Sequence, residues 1–510
     1  MLWFALHLSG LPLEAWLAGG GAGDAPGARP CAVVEARRIV QACPHAAALG
    51  IEPGMSAATA ASLAAGLQLL PRDPAREAAQ VQRLALALAR FTPHLVLQPD
   101  GVLLEVAGSR RLFGGAPALW RAVGQVAREA GAHALRRAAA PTATAAALLA
   151  RVEPATPALK RLPVAQRLDA LPLAGSLEAW GLDARLGELL HGIGCRTLGD
   201  VRMLPRSGLQ RRGAGPLLDL LARAHGEVPD PQPWFALPPG FSLRLELMHR
   251  ADDAAQLVFA TQRLVQPLAG WLAQRWLAAA RLSLALHHET SLRHAQPDTV
   301  LTLALADPTR DAAQLMLLLR ERLQRTPLPA PVYALALTLD QAVEHTGHAA
   351  PLWRERGGAG SGEDARALLD RLAARLGAER VQRPRLVADH RPERAQHWVP
   401  VSQALQPLHA ARGAPGQRAA GREGPPLPRP AWLLPTPQPL LEDPASGRLL
   451  YQGAPLALAS RAERIEAGWF DGAWVCRDYH VAEAADARAL WVFRERRGAQ
   501  SHWYLHGLFG

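Results

Sequence analysis

A chain of 510 residues is longer than one ordinary domain, so its length predicts three or four units that each bury a core. Hydrophobic residues make up 49% of the sequence and charged residues 20%, which excludes a chain that is disordered throughout. The formal net charge of +11 favours a polyanionic partner, and nucleic acid is the leading candidate. Lys160 is the only lysine, and a GC-rich genome explains this arginine excess better than bidentate phosphate binding does.

The cysteines are far apart in the sequence, at Cys31, Cys43, Cys195 and Cys476. They form no C-x-x-C pair, so they support neither a zinc ribbon nor a disulfide framework and fit a reducing cytoplasm. The first residues lack a basic segment, and no apolar run reaches membrane-spanning length. We therefore expect a cytoplasmic protein without a membrane segment, a bound metal or a cofactor.

The N-terminal part of the chain mixes predicted strands with predicted helices. Apolar runs predict strands at residues 3–8 and 32–34, and Ala- and Leu-rich segments predict helices at residues 57–70 and 74–91. Further on, two apolar runs flank Gln98-Pro99-Asp100-Gly101, whose proline and glycine suit a tight turn. This segment predicts a hairpin of two antiparallel strands.

Between residues 171 and 226 the pattern changes to short helices around a glycine-rich turn. The turn resembles a helix-hairpin-helix, in which backbone amides and a helix N-terminus face a DNA phosphate. The predicted DNA-binding residues are Gly192, Gly194, Cys195, Arg196 and Thr197. An ordinary corner between two helices explains the same glycines, so both readings stay open here.

The remaining sequence predicts a second mixed domain, a linker and a small β domain. Residues 241–345 alternate in the order β-α-β-β-α-β, which is typical of a ferredoxin-like sandwich. From residue 346 to 430 there are 14 arginines against 8 acidic residues, together with many glycines and prolines, which predicts a flexible basic linker. The domains expected are 1–165, 166–235, 240–345, 346–430 and 431–510, the last rich in aromatic residues.

Four sequence blocks resemble Y-family DNA polymerases in order and spacing. They are residues 37–42, Gly50-Ile51-Glu52-Pro53-Gly54-Met55-Ser56, residues 99–105 and Arg111-Leu112-Phe113-Gly114-Gly115. The resemblance covers roughly the first 345 residues. It implies an α+β multidomain protein with palm and fingers, a helical thumb that contains the helix-hairpin-helix, and a ferredoxin-like little finger, followed here by a C-terminal extension.

The family's polymerase site depends on carboxylates from two strands that hold two Mg²⁺ ions. At the matching positions this chain has His7 at the end of the first strand, Ser9 at the second acidic position of the same motif, and Asp100 followed by Gly101 at the hairpin. Glu105 lies further along the second hairpin strand, where a structural role suffices to explain it. Imidazole is a poor Mg²⁺ ligand, so one metal carboxylate of three remains, and Asp100 is also explained as a turn residue.

The positions implied for the incoming nucleotide also depart from the family pattern. The tyrosine and arginine of the family correspond to Pro44 and Ala47, and its palm lysines correspond to Pro141-Thr142-Ala143-Thr144 and alanines. Phosphoryl transfer depends on positioning and electrostatic stabilisation, so the combined losses predict a protein without polymerase activity.

A degenerate polymerase frame with a long C-terminal extension resembles the ImuB family of the bacterial translesion-synthesis mutasome. The C-terminal strings that carry this resemblance are residues 464–472, 477–482 and 503–509. It implies DNA, the sliding clamp, an error-prone C-family DNA polymerase and a RecA-like accessory protein as partners in DNA-damage-induced (SOS) mutagenesis.

Two sets of residues are the candidates for these protein contacts. The candidate clamp peptide is Pro351-Leu352-Trp353, although it lacks the usual preceding glutamine and an ordinary linker explains it equally well. The candidate partner-binding residues are Trp469, Phe470, Trp503 and Tyr504, for which a place in the core of the β domain is the alternative.

Two other functions stay open at this point. An active, low-efficiency Y-family polymerase requires Asp100, Glu105 and another acid such as Glu14 to rebuild a metal site. A helix-hairpin-helix repair factor leaves the ordered polymerase-like blocks without explanation.

Overall fold

The computed structural model describes residues 1–17, 30–154, 161–289, 297–345, 360–401, 428–444, 446–496 and 501–509. The chain forms two compact units, Met1–Arg375 and Leu376–Gly510. Both the α+β class and the Y-family-like order of elements agree with the prediction. In the described part of the chain, we find no helix whose length and apolar character would let it cross a membrane.

The first unit opens with a palm-like and fingers-like region. Its elements are β1 (Trp3–Leu8), α1 (Leu11–Leu17), β2 (Cys31–Glu35), β3 (Arg38–Ala42), α2 (Pro44–Ala48), α3 (Ala57–Leu63), β4 (Gln68–Pro71), α4 (Pro74–Leu88), β5 (Leu95–Gln98), β6 (Gly101–Glu105), α5 (Ala116–Glu129), β7 (Leu135–Ala140) and α6 (Ala143–Val152). The palm sheet has the order β5-β6-β1-β7. Both faces of β1 are buried, because Phe4 and Leu6 pack towards α4 and α5 while Trp3 and Ala5 pack towards α6.

The fingers-like region contains a small sheet of order β3-β2-β4. Here the structure corrects one prediction, because residues 57–70 do not form a single helix. Helix α3 ends at Leu63, and Gly66 adopts a positive φ of 80°, after which the chain continues as β4, parallel to β2. A glycine in the left-handed region ends a helix readily, and the apolar run beyond it completes the sheet.

Six short helices form the thumb-like region. They are α7 (Val164–Asp169), α8 (Leu173–Ala179), α9 (Ala184–Gly192), α10 (Leu198–Arg202), α11 (Arg206–Arg211) and α12 (Gly215–Ala224). Their leucines share one hydrophobic core with α6 and with the palm sheet. The thumb-like helices are therefore packed on the palm.

The little-finger-like region has the predicted β-α-β-β-α-β order. Its elements are β8 (Ser242–Ala251), α13 (Ala254–Gln274), β9 (Leu277–His288), β10 (Thr299–Thr309), α14 (Ala312–Arg325) and β11 (Val332–Glu344), with sheet order β10-β9-β11-β8. Helix α13 packs against α4 of the palm so closely that a Cβ on Gly270 would lie 2.0 Å from the carbonyl oxygen of Leu86. Only glycine fits this contact without a backbone shift.

Part of the segment predicted as a flexible linker is folded in the structure. Helix α15 (Gly360–Leu376) is followed by a hairpin of β12 (Gln382–Leu386) and β13 (Gln396–Pro400). Ala373 and Ala374 are buried, so α15 has an apolar face, although the segment 346–430 as a whole is basic.

The second unit is predominantly a curved antiparallel sheet, in agreement with the predicted aromatic-rich β domain. Beyond β12 and β13 its strands are β14 (Trp432–Glu442), β15 (Leu449–Tyr451), β16 (Ala454–Pro455), β17 (Ala457–Leu458), β18 (Glu463–Ala467), β19 (Val475–Glu483), β20 (Ala489–Glu495) and β21 (Trp503–Leu508). Their order is β16-β15-β14-β21-β20-β19-β17, and β18 pairs with β19. Tyr479, Trp491 and Phe493 are buried on this sheet, so aromatic residues do build a core here.

Candidate functional site

The end of strand β1 is where the palm brings its surviving polar residues together. In the register of β1 and β6, His7 lies opposite Gly101, and Asp100 lies in the turn just before Gly101. Arg151 reaches the same place from the last turn of α6, the helix packed on this sheet. The site therefore combines one carboxylate with an imidazole and a guanidinium.

Arg151 forms a two-pronged ion pair with Asp100. Its Nε donates to Oδ2 at 2.8 Å and its Nη2 donates to Oδ1, while His7 Nδ1 lies 3.1 Å from Oδ2. Burial tends to raise the pKa of Asp100, but the adjacent His7 and the hydrogen bonds and charge of Arg151 together hold this pKa well below its usual range. Asp100 is thus ionised at neutral pH and already has a cationic partner.

Two features of the hairpin keep a second carboxylate away from Asp100. A Cβ on Gly101 would lie 2.0 Å from the carbonyl oxygen of Leu6, so this backbone has no space for a glutamate. Glu105 pairs with Trp3 at the other end of the strand, about 13 Å further along it. Its carboxylate accepts a hydrogen bond from the Ala107 amide at 3.1 Å.

These residues do not fit the two-magnesium site of a polymerase. Such a site needs several oxygen ligands around each ion, and here the one carboxylate is bound by a guanidinium. Ser9, at the second acidic position, donates its hydroxyl to the Ala134 carbonyl oxygen at 3.0 Å. Within the described ranges, no group of three His, Cys, Asp or Glu side chains is placed to hold a metal ion.

A cleft of about 730 Å³ lies in front of this cluster, between the palm and the thumb-like helices. Arg151 and Arg72 both line it, and Arg72 is paired with Glu35 and Glu77 at 2.9 Å each. The two arginines are therefore neutralised by the protein's own carboxylates. The positions predicted as degenerate nucleotide contacts, Pro44 and Ala47, are exposed on α2 and do not line this cleft.

The thumb-like hairpin presents only some of its predicted DNA contacts to solvent. Gly192, Gly194 and Arg196 are exposed and Thr197 is half-buried, whereas the Cys195 side chain is 3% exposed in the thumb core. Cys195 therefore has no access to a DNA phosphate in this conformation, because its side chain fills the apolar corner between the helices.

Backbone amides of the hairpin are satisfied inside the protein. Gly194 and Cys195 donate to the carbonyl oxygens of the preceding helix, and the Arg196 and Thr197 amides both donate to the Asp200 carboxylate at 2.8 and 2.9 Å. Thr197 and Asp200 form a capping box at the start of α10. A phosphate would have to displace Asp200 to use these amides, so the exposed Arg196 side chain is the better placed donor.

In the second unit, one predicted aromatic pair is exposed and the other is half-buried. Trp469 is 72% and Phe470 71% exposed, and their rings meet edge to face. Trp503 and Tyr504 lie on β21 and pack against the core clusters of the sheet. The first pair has the exposure expected of partner contacts, whereas the second also has a structural role.

The exposed aromatic pair lies on a turn that is held by hydrogen bonds from the buried side chain of Arg391. This side chain is 2% exposed, and its guanidinium donates to Asp389, to Asp471 and to the Ala473 carbonyl oxygen. Hydrogen bonds from Arg391 and from the Ala473 amide lower the pKa of Asp471 to about 2. The turn is therefore held in place while its apolar side chains face solvent.

The candidate clamp peptide, Pro351-Leu352-Trp353, lies outside the described residues. Sequence reasoning missed two residues that organise the sites, Arg151 and Arg391. Each pairs with an aspartate far away in the sequence, 51 and 80 residues distant. The sequence does contain a weak signal for Arg151, because it is the one charged residue of an Ala- and Leu-rich helix. Burial of that helix predicts that the charge has an acidic partner.

Comparisons with known proteins show what the sequence is similar to. The family model "impB/mucB/samB family" matches residues 27–151. Protein ImuB of Caulobacter vibrioides (strain NA1000 / CB15N) is 29% identical over 504 residues, which cover 91% of this chain and 100% of that protein. ImuB from a second Caulobacter vibrioides strain, ATCC 19089 / CIP 103742 / CB 15, matches to the same extent.

Two solved structures are also similar to the chain. The "Dbh Ternary Complex (substrates partially disordered)" is 17% identical with a TM-score of 0.36 and covers 67% of this chain and 99% of its own. DinB from Sulfolobus solfataricus is 17% identical with a TM-score of 0.37 and covers 67% of this chain and 98% of its own. On the sequence comparisons, the chain resembles ImuB along nearly its whole length and contains an impB/mucB/samB family domain at residues 27–151.

Proposed function

We propose that this chain is a noncatalytic, Y-family polymerase-like adaptor in DNA-damage-induced mutagenic translesion synthesis. It acts in the cytoplasm, binds DNA and links the sliding clamp to an error-prone C-family polymerase and a RecA-like accessory protein. The observation that carries the noncatalytic part is the ion pair of Asp100 with Arg151, where a polymerase requires free carboxylates.

The loss of catalysis follows from charge as well as from missing ligands. A polymerase uses two divalent cations to activate the primer hydroxyl and to stabilise the leaving phosphate. Here a single guanidinium supplies one positive charge that is cancelled by Asp100, and a guanidinium has no coordination site at which a primer hydroxyl is bound and ionised. The neighbouring Gly101 cannot be replaced by a carboxylate without moving strand β1.

The support for DNA as a partner is the net charge of +11 and the exposed part of the thumb-like hairpin. Because the hairpin amides are hydrogen-bonded within the protein, the Arg196 side chain is the group that contacts a phosphate. Gly192 and Gly194 have no side chains and let the DNA backbone come close to the hairpin. In this proposal Thr197 caps α10 and Cys195 fills the core.

The support for protein partners is the aromatic turn of the second unit and the resemblance to ImuB. Trp469 and Phe470 form an exposed apolar pair on a fixed turn, and tryptophan is enriched among the few residues that supply most of the binding energy at interfaces. Trp503 and Tyr504 support the sheet on which this turn is built. The clamp contact is assigned to Pro351-Leu352-Trp353 from its sequence alone.

A pull-down of the full-length chain with the sliding clamp tests the adaptor role. Wild-type protein is expected to retain the clamp, and truncation before Glu344 is expected to lose it while still binding primer-template DNA. Retention of the clamp after truncation would rule out the candidate peptide. A full-length Leu352→Ala, Trp353→Ala double variant is the matched control, because it removes the peptide's side chains and keeps the rest of the extension.

The alternative function, a low-efficiency polymerase, needs Glu105 and another acid such as Glu14 to join Asp100 around a metal. Glu14 instead accepts the His133 amide with its Oε1 atom at 2.9 Å and the Ala134 amide with the same atom. Primer extension by the wild type, lost in Asp100→Ala, is the result that favours this alternative.

A further inference from the structure

A second cavity, of about 320 Å³, opens between palm helix α4 and little-finger strand β8. Its volume lies at the lower end of the range for small-ligand pockets. Five of its nine lining residues are charged: Arg76 and Arg83 from α4, Arg244 and Glu246 from β8, and Asp73 at the start of α4. It is separate from the palm cleft and from the thumb-like hairpin.

Arg83 is the unusual residue of this cavity. It is 6% exposed, and its Nε and Nη2 atoms donate to one acceptor, Gln80 Oε1, at 3.2 and 2.7 Å. Across the described part of the chain, no carboxylate pairs with Arg83. Burial and the like charges of Arg263 and Arg76 lower its pKa to about 10, which still leaves it protonated at neutral pH. A buried cation of this kind is costly without an anion.

The carboxylates of the cavity do not balance Arg83. Asp73 Oδ2 lies 3.2 Å from Arg76 Nε, and Glu246 pairs with Arg76 Nη2, so both acids are already engaged by Arg76. Arg244 is exposed at the cavity, and its Nη2 lies 3.4 Å from the Tyr333 hydroxyl. Three guanidinium groups and two carboxylates leave one positive charge unbalanced in the cavity.

We propose that this cavity binds a phosphate group, with Arg83 as the buried donor and Arg244 as the donor nearer solvent. The planar fork of arginine matches phosphate oxygens in a bidentate manner, and Arg83 has its remaining donor capacity free for such an anion. Because α4 belongs to the palm and β8 to the little finger, a bound phosphate joins the two regions. The phosphate comes either from a small phosphorylated molecule or from a DNA backbone, and the experiment separates these sources.

The test is thermal unfolding of the full chain in increasing inorganic phosphate, with chloride adjusted to keep the ionic strength constant. Wild-type protein is expected to show a saturable rise in Tm, about 3 °C at a phosphate concentration about 100 times Kd. Arg83→Met is expected to lose this rise, since it removes the buried donor at nearly constant volume. Arg128→Met, which removes an exposed arginine of α5, is the matched control and is expected to keep it.

Arg244→Met provides a second variant at an exposed position, so the proposal remains testable if Arg83→Met does not fold. It is expected to weaken the apparent phosphate affinity at least tenfold. Absence of a phosphate response in the wild type, or an equal response in Arg244→Met, overturns the proposal. A parallel titration replaces phosphate with a short single-stranded oligonucleotide. If the oligonucleotide raises the Tm of wild type at a lower concentration than phosphate does, and not that of Arg83→Met, the source is DNA. If only phosphate raises the Tm, the source is a small phosphorylated molecule.

Discussion

Replacement of Arg151 by methionine is the sharpest test of the palm cluster. The change removes both hydrogen bonds that Arg151 donates to Asp100. The Asp100 side chain, which is 33% exposed, is then left with His7 as its neighbour. Exposed ion pairs contribute up to about 1 kcal/mol, and breaking a fully buried pair costs about 3–5 kcal/mol. For this intermediate exposure we expect a loss of about 1–3 kcal/mol in the stability of the palm.

The pH dependence of this loss has a defined sign. Because the folded-state pKa of Asp100 is depressed, its contribution to stability is fully present above the ordinary aspartate pKa of about 3.9 and is lost as the pH falls through the lower folded value. The difference between wild type and Arg151→Met should therefore be present at neutral pH and shrink as the pH falls below about 4.

Amide hydrogen exchange of palm peptides in increasing urea measures this effect without interference from the second unit. Asp100→Asn and the double variant complete a thermodynamic cycle, in which the double variant should be less destabilised than the sum of the two single variants. Arg185→Met, at an exposed position of the thumb, is the control. A change of less than about 0.5 kcal/mol in Arg151→Met, together with additivity, would refute the reasoning.

Three further substitutions test separate parts of the structure. Gly101→Glu should not restore nucleotide incorporation and should lower palm stability by about 3 kcal/mol, because its Cβ meets the Leu6 carbonyl oxygen; a stable, active variant in primer extension would contradict this. Gly270→Ala should lower stability by a similar ~3 kcal/mol through its contact with Leu86, and faster hydrogen exchange in the two contacting helices is the readout. Trp469→Ala should change stability by less than about 0.5 kcal/mol yet weaken partner binding by about 2 kcal/mol in calorimetry, and unchanged binding would remove it from the interface.

The sequence predicts elements well where the determining interactions are local. The hairpin around Asp100 follows from Pro99 and Gly101 in the turn, and the structure has strands β5 and β6 on either side. Local signals also mislead when two elements adjoin, as in residues 57–70, where alanine-rich sequence runs through Gly66 into a strand that only the neighbouring β2 stabilises.

The chemistry of the palm cluster could be predicted only in part. The motif positions in the sequence predict that His7 and Gly101 replace metal-binding carboxylates. The ion pair between Asp100 and Arg151 could not be predicted, because it depends on how α6 packs on the sheet. Likewise, Thr197 and Asp200 have the spacing of a capping box, which is a readable sign that the hairpin amides are taken. Long-range ion pairs leave no such pattern, because their partners meet only through tertiary structure.

The absence of polymerase activity is tested by primer extension at protein excess, with Mg²⁺ or Mn²⁺, on a preparation shown by fluorescence anisotropy to bind the same primer-template. We expect bound DNA without addition of a nucleotide, and an identical result for Asp100→Ala. Extension by the wild type that disappears in Asp100→Ala would contradict this expectation, because Asp100 would then act as a metal ligand rather than as the partner of Arg151.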